Sequence, residues 1–371
     1  MLKGCLKYNN DKKHGDYFLI TAVIILTLLG LIFIYSASRY SAESIYGDKF
    51  FFVKKQFIGI VLGVLAMIFT CNYRYNKLKK YNIPIIIIAI ILLFLVFVPN
   101  IGVENYGAKR WIGVGGITLQ PSEIAKFSFI LFSATYISDN PEITRKIKGL
   151  LPIIMYGIIL CLLIISEPNM SITVCVALLM ITMLFAAGMR IKHFFILIIP
   201  ALIMGVVLII SEPYRLNRLE AFINPWSSPK GEGYQLLQSL YALGSGGFFG
   251  VGFFSSRQKY AFLPFAESDF ILSVIGEETG FFGIVLLFIL LFFIIYRGFK
   301  IAVNSKDIFG FMLATGITMI FGIQVLVNAL VVSGSIPPTG LPLPLVSSGN
   351  TSIIIFMAEF GILFNISKTS N

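Results

Sequence analysis

Near the last third of the chain stands the run LPFAESDFILSVIGEETG, residues 263–280, with four carboxylates: Glu267, Asp269, Glu277 and Glu278. Its second half otherwise reads as a membrane-buried helix. An ionisable group at membrane depth costs ~2.5–3.5 kcal/mol on insertion scales, so each one points to function by default. Two readings of Asp269 compete. With Ser268 at the outer start of a helix, it can cap free helix N–H groups. Alternatively, an outer carboxylate beside cations can deprotonate a hydroxyl while a phosphate-bearing partner is held in place. Neighbouring loops offer such cations in Arg110, Arg215, Arg218 and Lys259. Glu277 lies ~12 Å deeper at the helical rise, and Glu278 is turned ~100° from it. Capping does not account for that pair, which should face protein or a polar cavity.

A second polar island is QPSEIAKFS, where Glu123 and Lys126 share one helical face at a spacing of three. They read either as a self-compensating pair, with Glu suited to the helix dipole, or as part of a site. Pro121 at the first turn, with Ser122 just inside it, marks the helix start.

The elements that must carry these groups are membrane helices. Of 371 residues, 57% are hydrophobic and 13% charged, and the mean hydropathy is +0.87. Soluble domains carry roughly 25% charged residues. Apolar runs able to cross a ~30 Å hydrocarbon core recur along the chain. They predict spans near 17–37, 53–71, 82–99, 122–138, 150–166, 170–188, 193–210, 269–296, 308–331 and 351–367. The first follows a basic start with Lys3, Lys7, Lys12 and Lys13. Although YSAS after it resembles a signal-peptidase site, its length and the many later spans make it a retained helix. The expected fold is an all-α polytopic membrane protein of about ten transmembrane helices, one domain over 1–371. A large external loop, about 211–268, separates the seventh and eighth spans.

Lysine and arginine in short loops set the orientation. Arg74, Lys77, Lys79 and Lys80, then Arg145, Lys146 and Lys148, then Arg190 and Lys192, then Arg297, Lys300 and Lys306 form one inside set with the N-terminus. Both termini are therefore expected in the cytoplasm. The net charge of +11 is mostly this topology signal, and no basic soluble surface or motif for nucleic acid is present. The long loop contains glycine-rich SSPKGEGYQLLQS and LGSGGFFGVGFF, and its amphipathic YQLLQSLYAL is expected at the membrane interface. Cys5, Cys71, Cys161 and Cys175 fit neither a disulfide framework nor a zinc site. His14 and His193 read as surface residues of basic loops, which argues against histidine catalysis.

Three long motifs carry a resemblance: GAKRWIGVGGITLQPSEIAKF; NPWSSPKGEGYQLLQSLYALGSGGFFGVGFFSSRQKYAFLPFAESDFILSVIGEETG; and GLPLPLVSSGNTS before GILFNIS. In order and position, over essentially the whole chain, they resemble the SEDS family (shape, elongation, division and sporulation proteins, the FtsW/RodA/SpoVE group). NPWSSPKGEGYQ and SRQKY look more like its FtsW/SpoVE branch. The resemblance implies a membrane glycosyltransferase that polymerises lipid II into peptidoglycan strands at the outer face of the bacterial cytoplasmic membrane. The family's essential aspartate falls on Asp269, its fourth-helix glutamate and lysine on Glu123 and Lys126, and its RW element on Arg110 and Trp111. Asp269 is then the reactive carboxylate. Arg110, Trp111, Glu123, Lys126, Glu277 and Glu278 are the expected substrate-binding groups. The implied partners are lipid II, the nascent glycan strand, a class B penicillin-binding protein acting as transpeptidase, and other division or elongation proteins. No cofactor is required by the sequence, no metal site is visible, and a divalent cation is optional.

The chain departs from the family at two places. PFAESDF stands for the usual PEAHTDF or PERHTDF, so Glu267 and Ser268 replace histidine and threonine. An extra carboxylate beside Asp269 should raise its pKa. SSGNTS, from Ser347, stands where the family shows SYGGSS. Two other functions compete with polymerisation. A flippase or transporter also buries charges, though such proteins favour broken midplane helices and repeated halves, and no repeat is visible here. A non-catalytic scaffold of the wall-synthesis complex is the other.

Overall fold

The computed structural model describes residues 15–105, 108–114, 117–142, 147–211, 213–231, 233–260 and 262–369. All ten predicted spans fall on helices: α1 (Tyr17–Tyr46), α2 (Phe51–Asn72), α3 (Asn82–Leu95), α4 (Pro121–Asp139), α5 (Ile147–Ser166), α6 (Met170–Ala186), α7 (Ile191–Ile210), then, past α8 (Pro213–Ile223) and α9 (Tyr234–Gly246), α10 (Ile271–Val303), α11 (Ile308–Val332) and α12 (Asn350–Ser367). Among the described residues, seven helices are long and apolar enough to cross a membrane. Met170–Ala186 and Ile191–Val207 are shorter apolar helices. α4 has 19 residues but carries Glu123, Lys126 and Asp139, which lower its apolar content. The protein is a multi-pass membrane protein.

Burial follows a centre-to-rim pattern. α11 packs against α10, α4 and α6, and α12 packs tightly on α2. Small residues make the second contact close, since a Cβ on Gly63 would stand 2.5 Å from the Met357 sulfur. α7 stands at the rim with most of its described side chains exposed, as a lipid-facing helix requires. His193, expected at the surface, is instead buried at the start of α7. His14 and Cys5 lie outside the described residues.

Two features were not expected from the sequence. The loop after α3 folds into an antiparallel sheet, β1 (Gly102–Asn105), β2 (Ala108–Val114) and β3 (Ile117–Leu119), in the order β1-β2-β3. The long loop carries α8 and α9, and α9 does more than float at an interface. It buries Leu236, Leu237, Ser239 and Ala242, packs on α10, and ties on by Ser239 Oγ to Ser273 Oγ at 2.8 Å and to the Val332 carbonyl at 2.9 Å.

α10 is broken inside its apolar run, at Gly280 (φ 67°, ψ −168°). A broken helix in a membrane persists only where its freed backbone groups find partners. Here the glycine-rich loop supplies them. Val251 and Gly252 N–H donate to the Glu277 and Glu278 carbonyls at 2.9 and 3.1 Å, and Phe281 and Phe282 N–H donate to Gly247 and Phe248 at 2.9 and 3.1 Å. The contact needs glycine on both sides. A Cβ on Gly250 would reach the Glu278 carbonyl oxygen at 2.2 Å, and one on Gly280 the Gly250 nitrogen at 2.3 Å.

Glu277 and Glu278 fasten the same loop. Glu277 accepts from the Ser256 hydroxyl and from the Arg257 N–H at 2.9 Å. Glu278 is buried in a 3.0 Å ion pair with Lys259 and also accepts from Ser36 of α1. Removing one partner of such a pair leaves a buried charge uncompensated and costs about 3–5 kcal/mol. Lys259→Met should therefore lower the melting temperature strongly, and Lys259→Met combined with Glu278→Gln should recover much of the loss. Equal destabilisation in single and double variants, measured by thermal unfolding in detergent, would show that charge is not the cause.

Candidate active site

Asp269 precedes α10, but it does not cap the helix. The N-cap position is Phe270, with no side-chain cap, so the carboxylate is left for other work. The backbone beneath it is held by three donors from the last third of the chain. The Ser348 N–H donates to the Glu267 carbonyl at 2.9 Å, the Ser347 hydroxyl to the Ser268 carbonyl, and Asn328 Nδ2 to the Asp269 carbonyl at 2.9 Å. Asn328 Nδ2 also reaches the Leu341 carbonyl at 2.8 Å, joining α11, the Asp269 segment and the proline-rich loop. Gln56 of α2 clamps the far side, donating to the Ser347 carbonyl at 3.3 Å and accepting from the Gly349 N–H at 3.1 Å. The SSGN segment, which departs from the usual SYGG, thus supplies two of the three donors through Ser347 and Ser348.

Arg110 arrives from β2. Strand alternation puts it on the same face as the buried Ile112, and Trp111 on the opposite face, half-buried. One Arg110 Nη2 hydrogen donates to the Pro168 carbonyl in the turn between α5 and α6. Gly340 marks the space between Arg110 and Asp269. A Cβ there would lie 3.3 Å from Asp269 Oδ2 and 3.9 Å from Arg110 Nη1. The absent side chain leaves carboxylate and guanidinium each within 4 Å of one common point.

Burial pushes the Asp269 carboxyl up to about 6, opposed by the Ser268 hydroxyl and the Arg110 and Arg218 charges, and assisted by Glu267. Burial also raises Glu267. At neutral pH Asp269 is mostly ionised, with a pKa close enough to ambient to take and release a proton. Among the described residues, no cluster of three or more His, Cys, Asp or Glu stands ready for a metal ion.

The other expected site residues sit elsewhere. Glu123 and Lys126 are both buried and paired at 2.7 Å on α4, with the ammonium over the Phe356 ring at 5.6 Å. Lys126 is thus engaged by Glu123 and by α12. Glu359, also buried on α12, acts electrostatically on the same pair. Glu277, Glu278 and Lys259 are committed to the glycine-rich loop, as described above. Arg218 is exposed on α8 and within electrostatic reach of Asp269. Arg215 is on the same helix, but its side chain lies outside the described residues. Sequence reading missed Asn328, Gly340 and Glu167. The last interrupts two apolar runs at SEPN, and that interruption was its only signal.

With this geometry in place, the comparisons with known proteins fall into line. Residues 16–371 match the family model of FtsW, RodA and SpoVE, described as cell cycle proteins. The stage V sporulation protein E of Bacillus subtilis is 38% identical over 360 residues, covering 97% of this chain and 98% of that protein. A probable peptidoglycan glycosyltransferase FtsW of Trichlorobacter lovleyi is 39% identical over 353 residues, covering 95% and 93%. Among solved structures, a chain of a peptidoglycan synthase complex that coordinates polymerization and crosslinking superposes with a TM-score of 0.79. It is 24% identical, with 95% of this chain and 97% of that chain covered, and so supports the fold. By sequence over nearly its whole length, the chain belongs to the SEDS family of FtsW, RodA and SpoVE, within the FtsW/SpoVE branch.

Proposed function

We propose that the chain is a peptidoglycan glycosyltransferase that polymerises lipid II at the outer face of the cytoplasmic membrane. The observation that carries this reading is the Asp269 carboxylate facing Arg110 across Gly340, on a backbone segment held at three successive carbonyls. Asp269 accepts the proton of the acceptor sugar hydroxyl, whose oxygen attacks the anomeric carbon of the lipid-linked donor with inversion. The donor's bond to phosphate breaks, and the electron pair leaves with undecaprenyl diphosphate. Arg110 offsets the charge that gathers on that diphosphate. The printed name of the FtsW relative, a probable peptidoglycan glycosyltransferase, supports the same chemistry. A class B penicillin-binding protein would crosslink the strand.

The break in α10 favours transport as a second reading, because transporters place broken helices at their binding sites. In this chain the broken turn is paired with the glycine-rich loop, which argues for a packed joint over a translocation path. In the scaffold reading, loss of the usual SYGG would disable the site. Ser347 and Ser348 keep the Asp269 segment tethered, which favours a working enzyme.

The direct test is polymer formation from lipid II by purified protein, with and without the transpeptidase partner and a divalent cation. Asp269→Asn should reduce it by about 10²–10⁴-fold, the usual share of a general base, with folding and lipid II binding retained. Glu267→Gln should matter much less. If Glu267→Gln abolishes synthesis and Asp269→Asn does not, the base is Glu267. Activity of the native protein should fall as the pH drops through about 6, where Asp269 takes up its proton.

Gly340→Val would fill the opening between Asp269 and Arg110. Displacing reacting groups by ~1 Å can cost about 10²-fold, so turnover should drop by that order while the melting temperature holds. Unchanged turnover would place the substrate elsewhere. Orientation has its own test. Cysteines replacing Lys230 and Lys148 should label from opposite sides in intact cells, Lys230 from outside, since both termini are read as cytoplasmic. If Lys230→Cys labels only after permeabilisation, an outer-face site is wrong.

A further inference from the structure

Glu167 occupies the turn between α5 and α6 with no exposed surface, and neither of its carboxyl oxygens meets a hydrogen-bond partner among the described residues. A buried carboxyl without partners is costly, and native structures rarely leave one without a reason. The turn itself is otherwise satisfied. Asn169 caps α6 by accepting from the Ile172 N–H at 3.4 Å, and the Pro168 carbonyl accepts from Arg110. The same arginine thus touches Glu167's neighbour and faces Asp269 across Gly340. The charged group acting on Glu167 is Arg110 on β2, whose guanidinium also acts on Asp269.

We propose that Glu167 is a second acidic group of the reaction site, which in its neutral form donates a hydrogen bond to the diphosphate held by Arg110. This rests on the glycosyltransferase reading for its role in turnover, but the diphosphate contact can be measured without it. A carboxylic acid kept neutral by its surroundings donates to an anion without adding a second negative charge. Burial raises Glu167 to about 8 despite the opposing charge of Arg110. A bound diphosphate would hold the proton more firmly still, because nearby negative charge disfavours ionisation. In the transfer step the acceptor proton goes to Asp269 and the leaving electron pair to the diphosphate. Glu167 keeps its proton throughout, so only Asp269 must return one to solvent.

The test is binding of undecaprenyl diphosphate to the full chain in lipid nanodiscs between pH 6 and 9, alongside polymerisation of lipid II. Native protein should bind more weakly as the pH rises through about 8. Glu167→Ala should weaken binding by about 10- to 100-fold, the scale of one hydrogen bond to a charged group. Glu167→Gln, neutral at every pH and still a donor, should bind nearly as well as native protein and lose the alkaline decline. Native-like binding by the alanine variant, or an alkaline decline that survives in the glutamine variant, overturns the assignment. So does a glutamine variant as weak as alanine, which would mean that Glu167 acts as an anion on Arg110. Should the alanine variant fail to fold, the glutamine profile alone decides. The expected binding profile without any polymer from native protein would instead overturn the polymerase reading and leave the Glu167 site standing.

Discussion

The candidate site depends on three consecutive carbonyls, those of Glu267, Ser268 and Asp269, each taken by a donor from a distant part of the chain. Buried backbone groups without partners cost free energy comparable to a lost hydrogen bond, so this short segment has few alternatives to the observed path. Holding the main chain leaves the Asp269 side chain as the part that can meet a substrate. The tether also sets the opening, because Asn328 binds both the Asp269 and Leu341 carbonyls and thereby spaces Gly340 from the carboxylate.

The four carboxylates of residues 263–280 divide by environment. Glu277 is held by the glycine-rich loop, and one oxygen of Glu278 by α1 and Lys259. These contacts commit both groups to the loop, though one Glu278 carboxyl oxygen meets no partner among the described residues. They anchor the loop that closes the break at Gly280, without which α10 would carry open backbone groups into lipid. Among the described residues, Asp269 and Glu267 have no such cation paired to them, and burial raises both. The difference lies in the partners, since all four groups belong to the same chemical class.

Hydropathy made the ten spans legible because membrane helices must be apolar over ~20 residues whatever their neighbours. Asp269 and Arg110 were legible through motif resemblance, but their meeting across Gly340 was not, since a glycine's empty space has meaning only in three dimensions. The sheet at 102–119 escaped because its strands are short and five of the segment's 18 residues are glycine. The capping reading of Asp269 failed by one residue, as the helix begins at Ile271 with Phe270 before it. Glu277 and Glu278 were read as cavity groups because nothing in the sequence announces that a loop some twenty residues upstream returns to meet them. Glu167 looked like a span boundary, and its burial came only with the packing of α5, α6 and β2.

Arg110 and Asp269 belong to structures far apart in sequence, a sheet after α3 and a segment before α10, so something must hold the two in register. Thr351 at the start of α12 does part of this. Its hydroxyl accepts from the Gln120 N–H at 3.1 Å and donates to the Thr118 carbonyl at 3.3 Å, pinning the β3–α4 junction to the SSGN segment. Deeper in the bundle, Lys126 on α4 is paired with Glu123 and lies over Phe356 of α12. A buried ion pair adds little net stability over apolar packing, but it penalises arrangements that would separate or expose it. The Lys126–Phe356 contact thus joins α4 to α12 below, while Thr351 joins their ends above. Between them they link β2, and with it Arg110, to the segment that tethers Asp269. Groups that never reach the substrate can in this way govern the geometry of those that do.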